Sequence, residues 1–343
     1  LDNNYQVMRA DYDIGKLLSS ANHHSSTFAF GHSRLITNDL VNNQPVVRND
    51  VLVIHNGIIV NEDDIWETLE VDRYLQIDTE VIAAITEQHI TAGNDLDSLA
   101  KAVLSHCKGT ISTAVILPKE GKAVLFSNNG SLYTGSYDEG FYFSSESYPL
   151  RQLGCRNIQQ IKEQAYIVDI PICDTIDVSD DSKRTEDLIP EFKYIKSESD
   201  LLEYKKSDIT RCTKCILPQT MPFIKFDEQG ECNYCKNYED RNKPRPKEEL
   251  FELVEPYRRK ENLDCIVPFS GGRDSCFGLH LIVEELKMKP ITYTYDWGMV
   301  TDLGRRNISQ LCGDMGVENI IVVPLSLSDK ISFLIILNSL PNN

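Results

Sequence analysis

Apolar and polar positions along the chain change period several times. Between residues 27 and 60, short apolar runs alternate with turn residues, first TFAFGHSR and then VLVIHNGIIV. The same pattern returns as STAVILP from residue 112, KAVLFS from residue 122, GFYFS at 140–144 and QAYIVDI at 164–170. Runs of this length bounded by Gly, Asn, Ser and Pro predict strands at hairpin-like spacing. Two stretches keep a period near 3.6 and predict helices: DTEVIAAITEQHI (78–90) and LDSLAKAVLSHC (96–107). Two helices among many strands predict a layered α+β domain over residues 1–175.

The pattern then breaks. Residues 171–204 are acidic, with Pro190 in their middle and little periodicity, so 176–208 reads as a solvated linker. A cysteine-rich segment follows at 209–245. KEELFELVEPYRRK (247–260) is helical in pattern. From there strand-like DCIVPFS, helical SCFGLHLIVEELK, strand-like ITYTYDW, helical RRNISQLCGDMG and strand-like NIIVVPL alternate. Strand–helix alternation of this kind predicts a doubly wound parallel α/β sheet over 246–343.

Charge sharpens this division. The net charge is -17, from 35 basic and 52 acidic residues. Residues 205–343 hold 19 basic against 20 acidic residues, which leaves 16 against 32 in the first 204. An acidic half repels a phosphate backbone, so no nucleic acid partner is expected there. No run of 18 apolar residues occurs, so no membrane span is expected. The opening Leu1-Asp2-Asn3-Asn4 is neither basic nor apolar, so a cytoplasmic location is expected.

The sharpest motif is Ser270-Gly271-Gly272-Arg273-Asp274-Ser275, between a predicted strand and a predicted helix. Two adjacent glycines let backbone approach an anion closely, and the helix start aims free N–H groups and a positive dipole end at it. Ser270 and Ser275 add hydroxyl donors. No Lys follows the glycines, so this is not a Walker A loop. A bland alternative is a glycine turn that merely opens a helix.

The second motif is a pair of Cys-x-x-Cys knuckles, Cys212–Cys215 and Cys232–Cys235, separated by 16 residues. Four thiolates in this spacing complete a tetrahedral Zn²⁺ site with no open position, so the metal is expected to be structural. Disulfides or free thiols are the alternatives. The other six of the ten cysteines sit among apolar neighbours and read as core.

SGGRDS resembles the PP-loop of the ATP-pyrophosphatase superfamily, whose members split ATP into AMP and pyrophosphate and adenylate an acceptor oxygen. On that analogy Asp296 at the end of the second strand also lies near ATP. The knuckles followed by this loop, with YDWGMVTDLGRRNI after it, resemble the N-acetyl sugar amidotransferases of surface-polysaccharide biosynthesis. The resemblance covers residues 210–323. It implies ammonia transfer to the N-acetyl group of a nucleotide- or lipid-linked acetamido sugar, with Mg²⁺ offsetting phosphate charge.

In the first domain GHSRLIT, VIHNGIIVNED, DTEVI and FSSES occur in that order. The set resembles the class II glutamine amidotransferases, which are N-terminal-nucleophile hydrolases of αββα architecture. The resemblance gives Arg34 the glutamine α-carboxylate and Asp78 its α-amino group. It gives Asn56 and the Gly57 N–H the oxyanion hole. Singly, each has another reading: Arg34 a surface ion pair, Asn56-Gly57 a type I′ hairpin turn, Asp78 a helix N-cap. The family's nucleophile is an N-terminal Cys, whereas residue 1 is Leu and the first cysteine is Cys107. Leu35–Asn38 also departs from the family's usual Trp-Ala-Thr-His. The expectation is therefore a fragment, incomplete at both ends. Asparagine synthetase, with the same domain order, and a PP-loop tRNA-modifying enzyme are the rival readings; an oligomer is compatible with all of them.

Overall fold

The computed structural model describes residues 4–9, 17, 28–33, 43–178, 209–239, 245–259, 263–296 and 300–323. The chain forms two compact units. One joins residues 1–183 to 257–343, and the other is 184–256. The predicted nucleotide-binding strands thus belong to the same unit as the N-terminal strands, and the boundary expected at residue 246 falls inside the second unit.

The first unit opens with β1 (Asn4–Val7), β2 (Val46–Arg48) and β3 (Val51–Ile59), followed by α1 (Glu62–Trp66), α2 (Thr79–Thr91) and α3 (Leu99–His106). Next come β4 (Gly109–Leu117), β5 (Lys122–Ser127), β6 (Tyr133–Tyr137), β7 (Gly140–Ser144), α4 (Ser147–Gln152), β8 (Arg156–Gln160), β9 (Tyr166–Asp169) and β10 (Thr175–Val178). Five of these strands make an antiparallel sheet in the order β2-β3-β4-β5-β9. Alternation along β3 and β4 sorts their side chains. Val51, Val53, Ile59, Ile111 and Val115 face α2 and α3, and pack with Ile77, Val81, Ile82, Leu99 and Val103. Leu52, Ile54, Ala114 and Ile116 face the other way, onto Val7, Leu132 and Ile161. That second face is covered by strands: β1 pairs in parallel with β10, and β6 is flanked by β7 and β8. Each apolar side chain so buried contributes about 1.5–3 kcal/mol.

One expectation and one alternative reading are corrected here. The TFAFGHSR run forms no strand over its described part, residues 28–33, although Phe28 and Phe30 still pack on the second face. Asn56-Gly57 is not a hairpin turn. Both residues lie inside β3, opposite Ser112 and Ile111 of β4.

A buried charge network fixes the start of α2. Arg48, 4% exposed, donates to Glu80 at 2.8 Å, to Glu87 at 2.7 Å and to the Asp72 carbonyl at 2.8 Å. Its guanidinium lies 4.6 Å from the Tyr74 ring centroid. Glu80, 1% exposed, also accepts the N–H groups of Tyr74 and Leu75. Every buried charge in this cluster is paired, as it must be to stay ionised.

The second unit holds α5 (Asn233–Lys236) and α6 (Lys247–Val254). The chain then returns to the first unit with β11 (Cys265–Pro268), α7 (Arg273–His280), β12 (Pro290–Tyr295), α8 (Asp302–Asp314) and β13 (Asn319–Val322). These strands form a parallel sheet in sequence order. Strand, helix and strand alternate as expected. Both helices, however, contribute to one core of Val267, Phe269, Leu279, Ile308 and Cys312, so they cover one face of the sheet. The other face exposes Ile266 and Tyr295. Among the described residues the sheet is singly wound.

Candidate active site

The first unit contains a cleft of roughly 230 Å³ lined from the five-stranded antiparallel sheet and from the parallel sheet. Asn56, Gly57 and Asp78 line it from the N-terminal side, and Thr294, Asp296 and Asn319 from the parallel sheet. Local geometry explains why Gly57 is there. Its φ is +146°, and a β-carbon would stand 1.9 Å from the Thr110 carbonyl oxygen. Only glycine lets β3 approach β4 this closely. Asp78 lies at the N-terminus of α2, yet its carboxylate does not cap that helix. It is 3% exposed and accepts the Ile59 N–H across to β3 at 2.9 Å. The hydrogen bond ties the carboxylate to the strand that carries Asn56 and Gly57. Asn56 is exposed. Arg34 lies outside the described residues.

Neighbouring groups feel the Asp78 charge. Burial, then Asp78, pushes the Glu62 carboxyl up to about 7. Glu62 Oε2 is buried without a hydrogen-bond partner, 3.6 Å from Arg73. Cys107 is raised to about 12 by the same two causes, so its thiol stays protonated and inert.

Several cleft residues, His55 and Arg305 among them, lie within the quoted segments but were given no role from the sequence. His55 is 2% exposed and exchanges two hydrogen bonds with the Gln44 side chain through its backbone. Its ring Nε2 lies 3.1 Å from the Thr110 carbonyl. Arg305 donates twice to Asp296 Oδ2, at 3.1 and 2.8 Å, and so fixes that carboxylate at the end of β12. Polar residues in amphipathic or strand-edge positions give no sequence signal that separates them from solvent-facing ones.

The glycine loop is closely packed on α8. It joins β11 to α7, and Gly271 has φ +71° with no space for a β-carbon, which would meet the Gly304 carbonyl oxygen at 2.4 Å. Gly272 is the N-cap of α7 and offers no side-chain acceptor, so the N–H groups of the first turn are left for another partner. Ser270, Gly272, Arg273 and Asp274 are exposed. Ser270 and Ser275 share a hydroxyl contact at 3.1 Å, and Ser275 donates to the Gly272 carbonyl. The loop itself lies outside the lining of the cleft. It is joined to it through α8, where Asn307 donates to the Gly271 carbonyl at 3.0 Å.

In the second unit Cys212, Cys215, Cys232 and Cys235 bring four Sγ atoms within 4.8 Å of one another. Sγ–Sγ separations of 3.5 Å (Cys215–Cys232) and 3.9 Å (Cys212–Cys235) bracket the roughly 3.8 Å that a tetrahedron of 2.3 Å Zn–S bonds requires. The Cys212 sulfur also accepts the N–H groups of Lys214, Cys215 and Cys232. All ten cysteines are free of disulfides. The donor set fits a metal ion.

Comparison with known proteins bears on the first of these sites. Residues 32–152 match the family model of a glutamine amidotransferase domain. That stretch spans β3, α2 and the four strands that follow, and includes Asn56, Gly57 and Asp78. The chain is similar to a glutamine–fructose-6-phosphate aminotransferase (isomerizing) of Pyrobaculum aerophilum, 30% identical over 150 residues, which are 40% of this chain and 25% of that protein. The corresponding enzyme of Zymomonas mobilis is 27% identical over 175 residues, 49% of this chain and 27% of its own length. This chain thus spans about a quarter of the length of these relatives. A solved glutamine phosphoribosylpyrophosphate amidotransferase from B. subtilis overlaps 40% of this chain and 34% of its own at 18% identity, with a TM-score of 0.32. Among the described residues no helix is long and apolar enough to cross a membrane.

Proposed function

We propose that this chain belongs to an ATP-dependent, glutamine-hydrolysing amidotransferase. The observation that carries the reading is the shared cleft: Asn56, Gly57 and Asp78 line one side of the same cavity that Thr294 and Asp296 line on the other. In this reading Asp78 and Arg34 hold the α-amino and α-carboxylate groups of glutamine. The Asn56 side chain and the Gly57 N–H donate to the oxyanion formed when the amide is attacked. In the class II amidotransferases that these motifs resemble, the attacking group is an N-terminal Cys.

On the other side Ser270, Gly271, Gly272, Arg273, Asp274 and Ser275 cradle the phosphates of ATP, with Asp296 at the strand end and Mg²⁺ offsetting charge. The acyl oxygen of the acceptor attacks the α-phosphorus and releases pyrophosphate. Ammonia then displaces AMP. The acceptor is an acetamido sugar, nucleotide- or lipid-linked. Zn²⁺ held by Cys212, Cys215, Cys232 and Cys235 folds the segment between the two chemistries and takes no part in the reaction. A zinc knuckle between glutaminase and nucleotide domain favours this reading over an asparagine synthetase.

Incubation of the full-length protein with ATP, glutamine and acetamido sugars tests the reading, with nucleotide products separated by chromatography. AMP and pyrophosphate are expected. Release of ADP, or no cleavage with any acceptor, removes it.

A further inference from the structure

We propose that Ser309, on α8 of the parallel-sheet half, is a positioning residue for the amide-cleaving site. The inference rests on reading the Gly57 N–H as an oxyanion donor. Ile58 of β3 stands opposite Thr110 of β4. In an unbroken antiparallel ladder the Thr110 N–H would serve the facing strand. Here it donates to Ser309 Oγ at 2.8 Å, and the same oxygen donates to the Ile58 carbonyl at 2.7 Å. The Ile58 carbonyl has no proton to give, so the single Ser309 hydroxyl proton goes there. The Thr110 hydroxyl, 2.9 Å away, must then donate to Ser309 as well. One donor and two acceptor positions are filled, and Ser309 is 3% exposed. The serine is a bridge inserted into the β3–β4 ladder from another part of the chain.

Its position is held independently. Gly313, one turn further along α8, lies so close to β4 that a β-carbon would stand 2.0 Å from the Gly109 carbonyl oxygen. Arg306 donates to the Val60 carbonyl at 2.9 Å, just past the end of β3 that faces Gly109. The Gly57 α-carbon is therefore held by the close approach to Thr110, and the Ile58 carbonyl, two peptides beyond the Gly57 N–H on the same strand, is held by Ser309. An N–H aimed at an oxyanion must be set in advance, and a displacement of an ångström costs a large part of its effect. Through Asn307 and Gly304 the same helix rests on the glycine loop. The amide-cleaving strand is thus completed by the helix that lies against the other loop.

The test compares Ser309→Ala with Leu311→Ala in the full-length protein. Leu311→Ala loosens the same helix in its own core without touching the bridge. Two quantities are read: hydrogen exchange of amides 57–59 and 109–111, and kcat and KM for release of glutamate from glutamine. Ser309→Ala is expected to speed exchange there tenfold or more, and to lower kcat roughly 10–100-fold with KM unchanged. Leu311→Ala is expected to do neither. Equal effects of the two variants, unaltered exchange, or a rise in KM with kcat intact would overturn the proposal. A wild-type protein that releases no glutamate removes the amidase reading instead. Exchange then decides alone: fast in Ser309→Ala and slow in wild type upholds the bridge, and no difference overturns it.

Discussion

Gly57→Ala probes the close approach on which the amide-cleaving site depends. A β-carbon at residue 57 would stand 1.9 Å from the Thr110 carbonyl oxygen, 2.7 Å from its carbon and 2.9 Å from His55 Nε2. Real β-carbons do not come within 3.0 Å of such atoms, so β3 and β4 must part by about 1.1 Å at this point. Two costs follow. An alanine held at φ +146° costs about 1–3 kcal/mol. Overpacking against backbone that cannot rotate away adds about 1–3 kcal/mol more. The expected loss is therefore about 2–6 kcal/mol, a large part of the stability of an ordinary domain. Urea unfolding followed by Trp66 fluorescence reads it, since Trp66 packs against the core beneath α2. Catalysis should fall further than stability, because the parted strands carry the Gly57 N–H away from its target. A loss below about 1 kcal/mol would show that the strands do not approach as described, and the argument for a preset N–H would fail with it.

Four further outcomes are expected. Glu80→Ala removes one of the three acceptors of Arg48 and leaves the Tyr74 and Leu75 N–H groups without one, whereas Arg48→Met leaves Glu80 with its N–H donors; the first should cost about 3–5 kcal/mol and the second less, and a reversed order in urea unfolding would refute the pairing scheme. Burial, its largest cause, raises the Glu318 carboxyl to about 7 from an ordinary 4.5. The folded state then holds its proton more tightly than the unfolded one. Stability is full below about pH 4.5 and falls as pH rises to about 7, by no more than about 3 kcal/mol. Glu318→Gln should flatten the part of that slope this residue supplies, and an unchanged melting profile from pH 5 to 8 would contradict it. Cys212→Ser should reduce bound zinc from about one per chain to a small fraction, read by elemental analysis; undiminished zinc would place the metal elsewhere. Asp78→Asn keeps an oxygen for the Ile59 N–H but removes the charge, so glutamine binding by calorimetry should weaken tenfold or more with little change in melting temperature, whereas unaltered affinity would exclude Asp78 from the glutamine site.

The parts of the fold legible in the sequence were those whose periodicity reflects burial. Strands β3, β4 and β5 read as strands because apolar side chains line them on both faces; α3 packs one stripe on that sheet, whereas α2 is buried all round from Thr79 to Thr86 and reads as a helix by its length. Strands β1, β2, β6, β8 and β10 were missed. They are short, and NYQV, RNIQQ and TIDV carry too few apolar residues to show a period. TFAFGHSR shows the opposite failure: Phe28 and Phe30 alternate as in a strand because they share a core, but the described residues 28–33 form no strand. Of the candidate site, residues announced by glycines or paired cysteines were legible. Ser309 and Arg48 were not. A serine on an amphipathic helix and an arginine at a strand end look solvent-facing until the chain folds their partners, Ile58 and Glu80, around them.

The fate of the glutamine amide nitrogen tests the central claim most directly. Full-length protein supplied with ATP, an acetamido-sugar acceptor and glutamine labelled with ¹⁵N in its side-chain amide should yield a labelled product in equal amount to the AMP released. Label recovered only as free ammonia, or label transferred without AMP, would contradict the account.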